Sequence, residues 1–413
     1  MLFFHPLRRV VAACALAALT LPAHAGLGFD EAARIAAERA PALLAQRQSL
    51  AGAEAAAPAA DTLPDPRLAV GVENLNIAGA DRYSLNRDGM TMQRIALMQE
   101  VPNRAKRAAR AESAQALVVR ERARLAAAAL AVRRDAALAW IAVWSAERTL
   151  ARFDALDRDN AVLQQTLDSR IAAGKAMPAE RAMARQDAIA LADRRDDAVR
   201  DLAKARAALR RWVGERADEP LAGAPPAAAL QPDALRADIH RHAEIAPYEA
   251  MEAMALADAH EADADRRGDW SWEVAYQRRG TQFGDMVSFQ LSFDLPWQTA
   301  RRQEPLARAR RLDAARVAAE RADLLLRHAE ETEGWLAELA SLQHQQQRLA
   351  ASGRPLAAER VALAMAAYEA GRGDLGAVLA ARRESTETEL RAIDLEGRIA
   401  ALGTRLTTQV AED

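Results

Sequence analysis

The feature that most constrains this chain is a long stretch without proline or glycine. It runs from Asn103 to about Ala172 and consists of good helix formers. At 1.5 Å per residue, an unbroken helix of this length extends roughly 100 Å. A cluster of helix breakers follows at 174–178, and a second helical segment runs back to about Trp212. The two segments predict a helical hairpin of coiled-coil dimensions over about 103–212.

The second half of the chain repeats this plan. A helical segment from Thr299 to Ala370 ends at a turn over 371–373, and a return helix reaches about Gln409, which gives a second hairpin over about 299–409. Gly334 and the run at 353–355 predict a kink or break within it. A shorter helical segment and two strand-like runs precede each hairpin. This order indicates an internal duplication, although repetitive Ala/Arg composition could imitate one.

The landmarks divide the chain into four parts. We expect a signal peptide at 1–25, a first repeat at 26–214, a linker at 215–232 rich in Pro, Ala and Gly, and a second repeat at 233–413. The strands are expected at about 66–76 and 90–101 in the first repeat, and at about 269–279 and 285–296 in the second.

The first 25 residues have the pattern of a cleavable secretory signal. Arg8 and Arg9 precede an apolar run of about 14 residues, and an A-x-A site ends at Ala25. The run is shorter than the ~20 residues that a membrane-spanning helix needs, which argues against a retained anchor. Cys14, the only cysteine, lies in this segment. Lipidation of Cys14 is the less favoured alternative to cleavage, and we expect an exported chain without disulfides.

Charge and motifs exclude several classes of function. The 56 Lys and Arg nearly balance the 58 Asp and Glu, so no overall field attracts nucleic acid. We find no P-loop and no H-E-x-x-H motif, and we expect neither an enzyme nor a cofactor. His240 and His242 would lie ~200° apart on a helix, so we interpret them as solvated rather than as a metal site. We expect Met90, Met92 and Met98 to pack against other residues or to contact lipid. Binding of a soft metal ion is the alternative.

The two strand-like runs of the second half alternate strictly between apolar and polar residues, as a two-faced strand does, whereas Met92, Ala96 and Met98 blur the alternation in the first half. The apolar set comprises Trp270, Trp272, Val287, Phe289, Leu291 and Phe293. The polar set comprises Glu273, Ser288, Gln290, Ser292 and Asp294. Each run has about 10 residues, the length of a tilted transmembrane β-strand.

Four such strands cannot close a membrane barrel, and a bilayer does not tolerate open sheet edges. We therefore expect several chains to pool their strands: two would supply eight, and three about twelve around an aqueous lumen. The apolar set would then face lipid and the polar set would face the lumen. The alternative is two amphipathic hairpins packed on a soluble helical domain.

The ordered set of features resembles the TolC-type outer membrane factors. QEVPNRAKRAAR (99–110) and its counterpart FDLPWQTARRQ (293–303) carry the resemblance, together with the signal peptide and the duplicated halves. It covers essentially the whole mature chain. The resemblance implies a mainly α fold with a membrane β-barrel: a homotrimer with a twelve-stranded outer-membrane barrel, continued by a twelve-helix α-barrel across the periplasm.

The resemblance also implies a function and partners. Family members are passive exit ducts that work with a periplasmic adaptor and an inner-membrane RND-type pump. The runs at 270–280 and 285–296 look most like the branch paired with heavy-metal pumps, of the cobalt–zinc–cadmium and copper–silver type, so heavy-metal cations are the favoured cargo. A drug-efflux or type I secretion duct of the same fold is an alternative. A soluble periplasmic coiled-coil scaffold is another, from a different class.

The resemblance places a gate and an adaptor-docking surface at the periplasmic hairpin tips, where glycine turns join the long helices. The expected tip residues are Arg170, Gly174, Tyr368, Gly371, Arg372, Asp374 and Leu375. Repeated threefold, Tyr368, Arg372 and Asp374 would form charged or hydrogen-bonded rings that hold the tips together. The alternative is an ordinary helix cap with solvated charges.

Overall fold

The structure, a computed structural model, describes residues 26–409. The predicted signal peptide, with Cys14, therefore lies outside the described residues. Among residues 26–409, none of the helices combines the length and the apolar character that crossing a bilayer requires.

Helices dominate the described chain, and two of them are very long. Asn103 begins the longest, where its side chain accepts a hydrogen bond from the backbone N–H of Lys106 at 2.9 Å. In chain order the helices are α1 (Phe29–Arg39), α2 (Pro41–Ala56), α3 (Arg104–Ala172), α4 (Pro178–Val213), α5 (Pro232–Ala237), α6 (Ala246–Ala264), α7 (Gln303–Arg348), α8 (Arg354–Glu369) and α9 (Leu375–Thr407).

The long helices form two hairpins. In the first, α3 turns into α4. In the second, α7 continues through a π-helical turn, Leu349–Gly353, into α8, and α9 runs back. The helix passes through Gly334 without interruption, so a break there is wrong. The second predicted position, 353–355, does coincide with an irregularity, because the π-helical turn ends at Gly353. Pro355 has no N–H to donate to the preceding turn, and the wider π-turn accommodates this loss without ending the helix.

The strands form one four-stranded antiparallel sheet and a small parallel pair. They are β1 (Leu27–Gly28), β2 (Arg67–Glu73), β3 (Met92–Val101), β4 (Leu221–Ala222), β5 (Trp270–Arg278) and β6 (Met286–Phe293). The sheet order is β2-β3-β5-β6, and β1 pairs with β4. Strands from both halves of the chain thus join at β3 and β5, where Ile95 lies opposite Tyr276.

The helical body is packed around small residues and one large aromatic side chain. Trp140 on α3 is fully buried, and its Nε1–H donates to the carbonyl oxygen of Leu27 at 2.8 Å. Phe29 meets the same indole edge-on, with 5.6 Å between ring centroids. These contacts anchor β1 and α1 against the middle of α3.

Candidate functional site

One face of the four-stranded sheet is mainly apolar, and each of its four strands contributes apolar side chains to it. Its cross-strand neighbours on β5 and β6 are Trp270 and Phe293, Trp272 and Leu291, Val274 and Phe289, and Tyr276 and Val287. On β3, Ile95 and Leu97 extend the same face, and on β2 Leu68 and Val70 complete it. The side chains are exposed: 63% of Phe289 and 73% of Val287 is accessible. All six residues of the predicted apolar set lie on this face.

The opposite face is polar and carries a charged network. Arg94 forms ion pairs with Glu273 and, at 3.2 Å, with Glu73. Ser288 accepts a hydrogen bond from Gln277 at 3.3 Å. Glu273, Ser288, Gln290 and Ser292 lie on this face, as the alternation predicts.

Two groups of residues differ from the expected placement. Asp294 follows the end of β6, where its backbone N–H donates to the carbonyl oxygen of Asp269 at 2.8 Å. It therefore lies at the base of the sheet rather than within a strand. Met92 and Met98 are paired with Glu73 and Glu273 across the strands, so they share the polar face and not the apolar one.

The outer strands of the sheet have open edges. In the described part of the chain, β2 pairs only with β3, and β6 pairs only with β5. Their unpaired N–H and C=O groups are templates for a further strand. The sheet is therefore a two-faced strip that is incomplete on both sides.

A charged clasp fixes the base of this strip to α3. The backbone N–H of Asn103 donates to Asp269 at 2.8 Å, and the Lys106 ammonium lies 2.7 Å from Asp265 and 3.2 Å from Asp269. Burial alone would lower the pKa of Lys106, but its hydrogen bonds with Asp265 and Asp269 raise it above the ordinary value. Lys106 therefore carries a positive charge, and its ion pairs fix the position of the sheet relative to α3.

At the far end of the molecule, glycines make both helical turns. Gly174 has φ +69° and Gly371 has φ +70°, a backbone conformation that only glycine adopts without strain. Near them Tyr368 is only 6% exposed, and the guanidinium of Arg170 lies 4.5 Å from the centre of its ring. The Tyr368 hydroxyl donates to Glu180 on α4 at 3.1 Å. Burial and this hydrogen bond both raise the pKa of Tyr368.

The other expected tip residues have distinct local roles. The carboxylate of Asp374 accepts the backbone N–H of Ala377 at 2.7 Å and so caps α9. Leu375 is 1% exposed and packs in a cluster with Leu163 and Leu167 of α3. Arg372 is exposed. The structure therefore joins Arg170 and Tyr368 within one chain, and Glu180 is the tip residue that the sequence interpretation missed.

Comparison with known proteins rests on structure. No protein-family model matches the sequence, and no curated protein matches it significantly. CusC superposes with a TM-score of 0.80 at 15% identity, over 93% of this chain and 92% of that one. VceC of Vibrio cholerae, an outer membrane protein, gives 0.77 at 17% identity over 93% and 97%. The CmeC outer membrane channel of Campylobacter jejuni gives 0.77 at 12% identity over 93% and 87%.

The chain has the TolC-type fold of outer-membrane channels. The predicted fold class is confirmed: a mainly helical chain with two long helical hairpins and a few strands. The matches cover 93% of this chain and 87% or more of each matched structure. Assembly of three chains into a closed barrel stays a prediction.

A histidine pair lies outside these features. His240 is exposed, as expected, but His242 follows a 3₁₀ turn rather than sitting on a helix and is only 9% exposed. The expectation that it is solvated is wrong because His328, on α7, covers it; the two rings stack with 3.7 Å between centroids. Burial, together with nearby His328 and Arg134, lowers the pKa of His242 to about 4. Its imidazole is therefore neutral at pH 7.

Proposed function

We propose that this chain is one subunit of a trimeric outer-membrane exit duct of a tripartite RND-type efflux system. The observation that carries the proposal is the two-faced strip, exposed and apolar on one side, polar on the other, and open at both edges. In water such a surface is an aggregation hazard. In a bilayer the apolar face meets lipid, and neighbouring copies pair the edges.

The number of copies follows from the width of the strip. Two chains would give eight strands, whose lumen is filled by side chains. Three give about twelve strands and room for a water-filled pore. Lumen-facing residues would then be Glu273, Ser288, Gln290 and Ser292, with Asp294 at the base of the pore.

Thiol labelling of adjacent residues tests the barrel. Cys14 is the only cysteine and lies in the predicted signal peptide, so Ser288→Cys and Phe289→Cys each place a single thiol in the exported chain. We expect a water-soluble maleimide to label Ser288→Cys through the pore, while Phe289→Cys reacts only after denaturation exposes the lipid face to water. Equal labelling of both in intact membranes, or recovery of the chain as a soluble monomer, would favour the soluble scaffold.

The hairpin tips are the proposed gate and adaptor-docking end of the duct. Two contacts support a joint role for the two turns: Tyr368 and Leu375 belong to one buried cluster, and Arg170 lies against the Tyr368 ring. Of the expected residues, Arg372 and Asp374 are exposed charges that would be available to other copies. Arg170 and Tyr368 would act on the gate by holding the two hairpins of one chain in register.

Heavy-metal cations are the proposed cargo, on the resemblance of 270–280 and 285–296 to the metal-efflux branch. The chain would work with a periplasmic adaptor and an RND pump that supplies the energy. Removing the gene should sensitise cells to divalent metals and leave antibiotic sensitivity unchanged, and the co-purifying pump should be of the metal type. Sensitivity to drugs alone would assign the duct to drug efflux.

A further inference from the structure

Three side chains of metal-binding type converge far from both the sheet and the tips. His242 and Glu244 lie in the short segment before α6, and His328 lies on α7. One ligand atom from each lies within 4.8 Å of the others. The group borders a cavity of about 390 Å³ between α3, α7 and the end of α9.

The state of His328 suggests that a cation belongs here. The residue is only 6% exposed, and its Nε2 has no hydrogen-bond partner. That nitrogen faces a carboxylate oxygen of Glu244 at 3.4 Å, while its Nδ1 lies 3.6 Å from Glu331. A neutral imidazole has only one N–H, so it can donate to only one of these two carboxylates, and its other ring nitrogen then presents a lone pair to an acceptor. A buried acceptor in this position is costly unless a proton or a metal ion lies between the two atoms.

We propose that His242, Glu244 and His328 form a binding site for a divalent transition-metal ion of the zinc type. Imidazole and carboxylate are donors that zinc, nickel and cobalt accept, and three protein ligands leave one position for water from the cavity. Glu331 would orient His328 from its far side, as outer carboxylates do for metal-bound histidines. A metal ion is favoured over a proton because the His242 ring, stacked on His328 with 3.7 Å between centroids, supplies a second nitrogen beside the first.

Binding requires a small rearrangement of the three ligands. Donors about 2.1 Å from a tetrahedral ion lie about 3.4 Å apart, so the group must contract by about 1 Å. The two stacked rings must rotate away from each other. The hydrogen bond that His242 Nδ1 accepts from the Glu244 N–H, which is long at 3.2 Å, must break. Glu244 has room to move because 56% of its side chain is exposed.

The charges around the cavity limit how strongly a cation binds. Arg134, Arg327 and Arg405 line the cavity and oppose it. Two of these are offset by neighbours: Arg134 pairs with Asp135 at 3.0 Å, and Arg327 pairs with Asp323 at 3.1 Å. A bound ion would tie the segment before α6 to α7.

Metal titration of the full-length chain tests this site without any transport measurement, so its outcome is independent of the proposed duct. Protein purified in detergent without a histidine tag is stripped with chelator, then titrated with Zn²⁺ by calorimetry and with Co²⁺ by visible absorption. We expect one ion per chain. Glu244→Gln, which changes an exposed side chain, should weaken affinity at least 10- to 100-fold, and His328→Gln should abolish binding.

His240→Ala is the matched control, because His240 is exposed and lies two residues from His242 but outside the group. It should bind Zn²⁺ as the wild type does. Absence of binding by the wild type, which leaves a proton as the occupant, would overturn the proposal. Equal affinity of wild type and Glu244→Gln would overturn it as well.

Discussion

Side chains at the hairpin tips have two separate roles: three of them connect helices, and one caps a helix. Arg170, Tyr368 and Glu180 connect α3, α8 and α4 within one chain, through a ring contact and a 3.1 Å hydrogen bond. Asp374 instead completes the first turn of α9. Asp374 caps α9 and, in the proposed trimer, would also face other copies. Two different substitutions are therefore needed to separate these two roles.

Substitution of Asp374 separates capping from gating. Asp374→Ala removes both cap and charge and should cost about 1 kcal/mol of stability, whereas Asp374→Asn retains a capping oxygen and removes only the charge. If pairing of the Asp374 charge with other copies holds the gate closed, both variants should raise conductance in planar bilayers. An increase in Asp374→Ala alone would show that the cap matters and the charge does not.

In the helical body, we expect the hydrogen bonds of Glu121 on α3 to be lost in acid. It is 5% exposed, and it accepts hydrogen bonds from Arg120 at 2.6 Å and from Gln46 of α2 at 2.8 Å. Burial opposes its charge, but these two hydrogen bonds hold the pKa of Glu121 below its ordinary value of 4.5. The stabilisation is therefore complete above about pH 4.5 and is lost as the pH falls through the lower, folded-state pKa.

Glu121→Gln should reduce the free energy of unfolding by about 1–3 kcal/mol at pH 7, because it weakens charge-assisted hydrogen bonds. The difference from wild type should shrink as the pH is lowered below 4.5. Denaturant unfolding at pH 7, 5 and 3.5 measures this. A difference that does not change with pH would contradict the assignment.

At the scale of elements, two glycines differ in the space that surrounds them. Gly334 is exposed inside α7, and an added Cβ meets nothing within 4 Å. Gly268, at the base of the sheet, is the opposite case, because a Cβ there would lie 1.7 Å from the carbonyl oxygen of Asp294.

Alanine at these two positions should therefore act in opposite directions. Gly334→Ala should raise stability by about 0.5–1 kcal/mol, since it improves helix propensity without a clash. Gly268→Ala should cost about 1–3 kcal/mol, since the backbone of the clasp must shift. Thermal unfolding of the purified chain compares them. A lower Tm for Gly334→Ala would indicate that another chain covers this face of α7.

At the scale of the whole molecule, the sheet is a surface that one chain cannot complete. Leu291 and Gln290 are neighbours on β6 that point to opposite faces. If the apolar face meets lipid, Leu291→Arg should cost up to about 2–4 kcal/mol per chain and prevent assembly of the proposed trimer, which native gel electrophoresis measures. Gln290→Arg, which lies opposite Glu273 on the polar face, should assemble normally. Loss of assembly in both variants would contradict the two-faced assignment.

Much of the architecture was predictable because its signals are local. The stretch free of proline and glycine predicts α3, the period of two predicts both faces of β5 and β6, and glycines predict the two turns. The predicted break at Gly334 was wrong because one glycine costs only about 1 kcal/mol in a long helix. Asp294 was expected within the strand because the alternation of apolar and polar residues continues in the sequence beyond Phe293, the last residue of β6.

The sequence by itself determined the lengths, order and amphipathic faces of the elements, since these depend on residues a few positions apart. Only the tertiary structure decided which side chains meet. Tyr368 and Glu180 are 188 residues apart, and Arg94 and Glu273 are 179 apart. His242 meets His328 only because α7 packs beside the segment before α6. No periodic pattern encodes such pairings; they arise when separate amphipathic helices settle on one relative position.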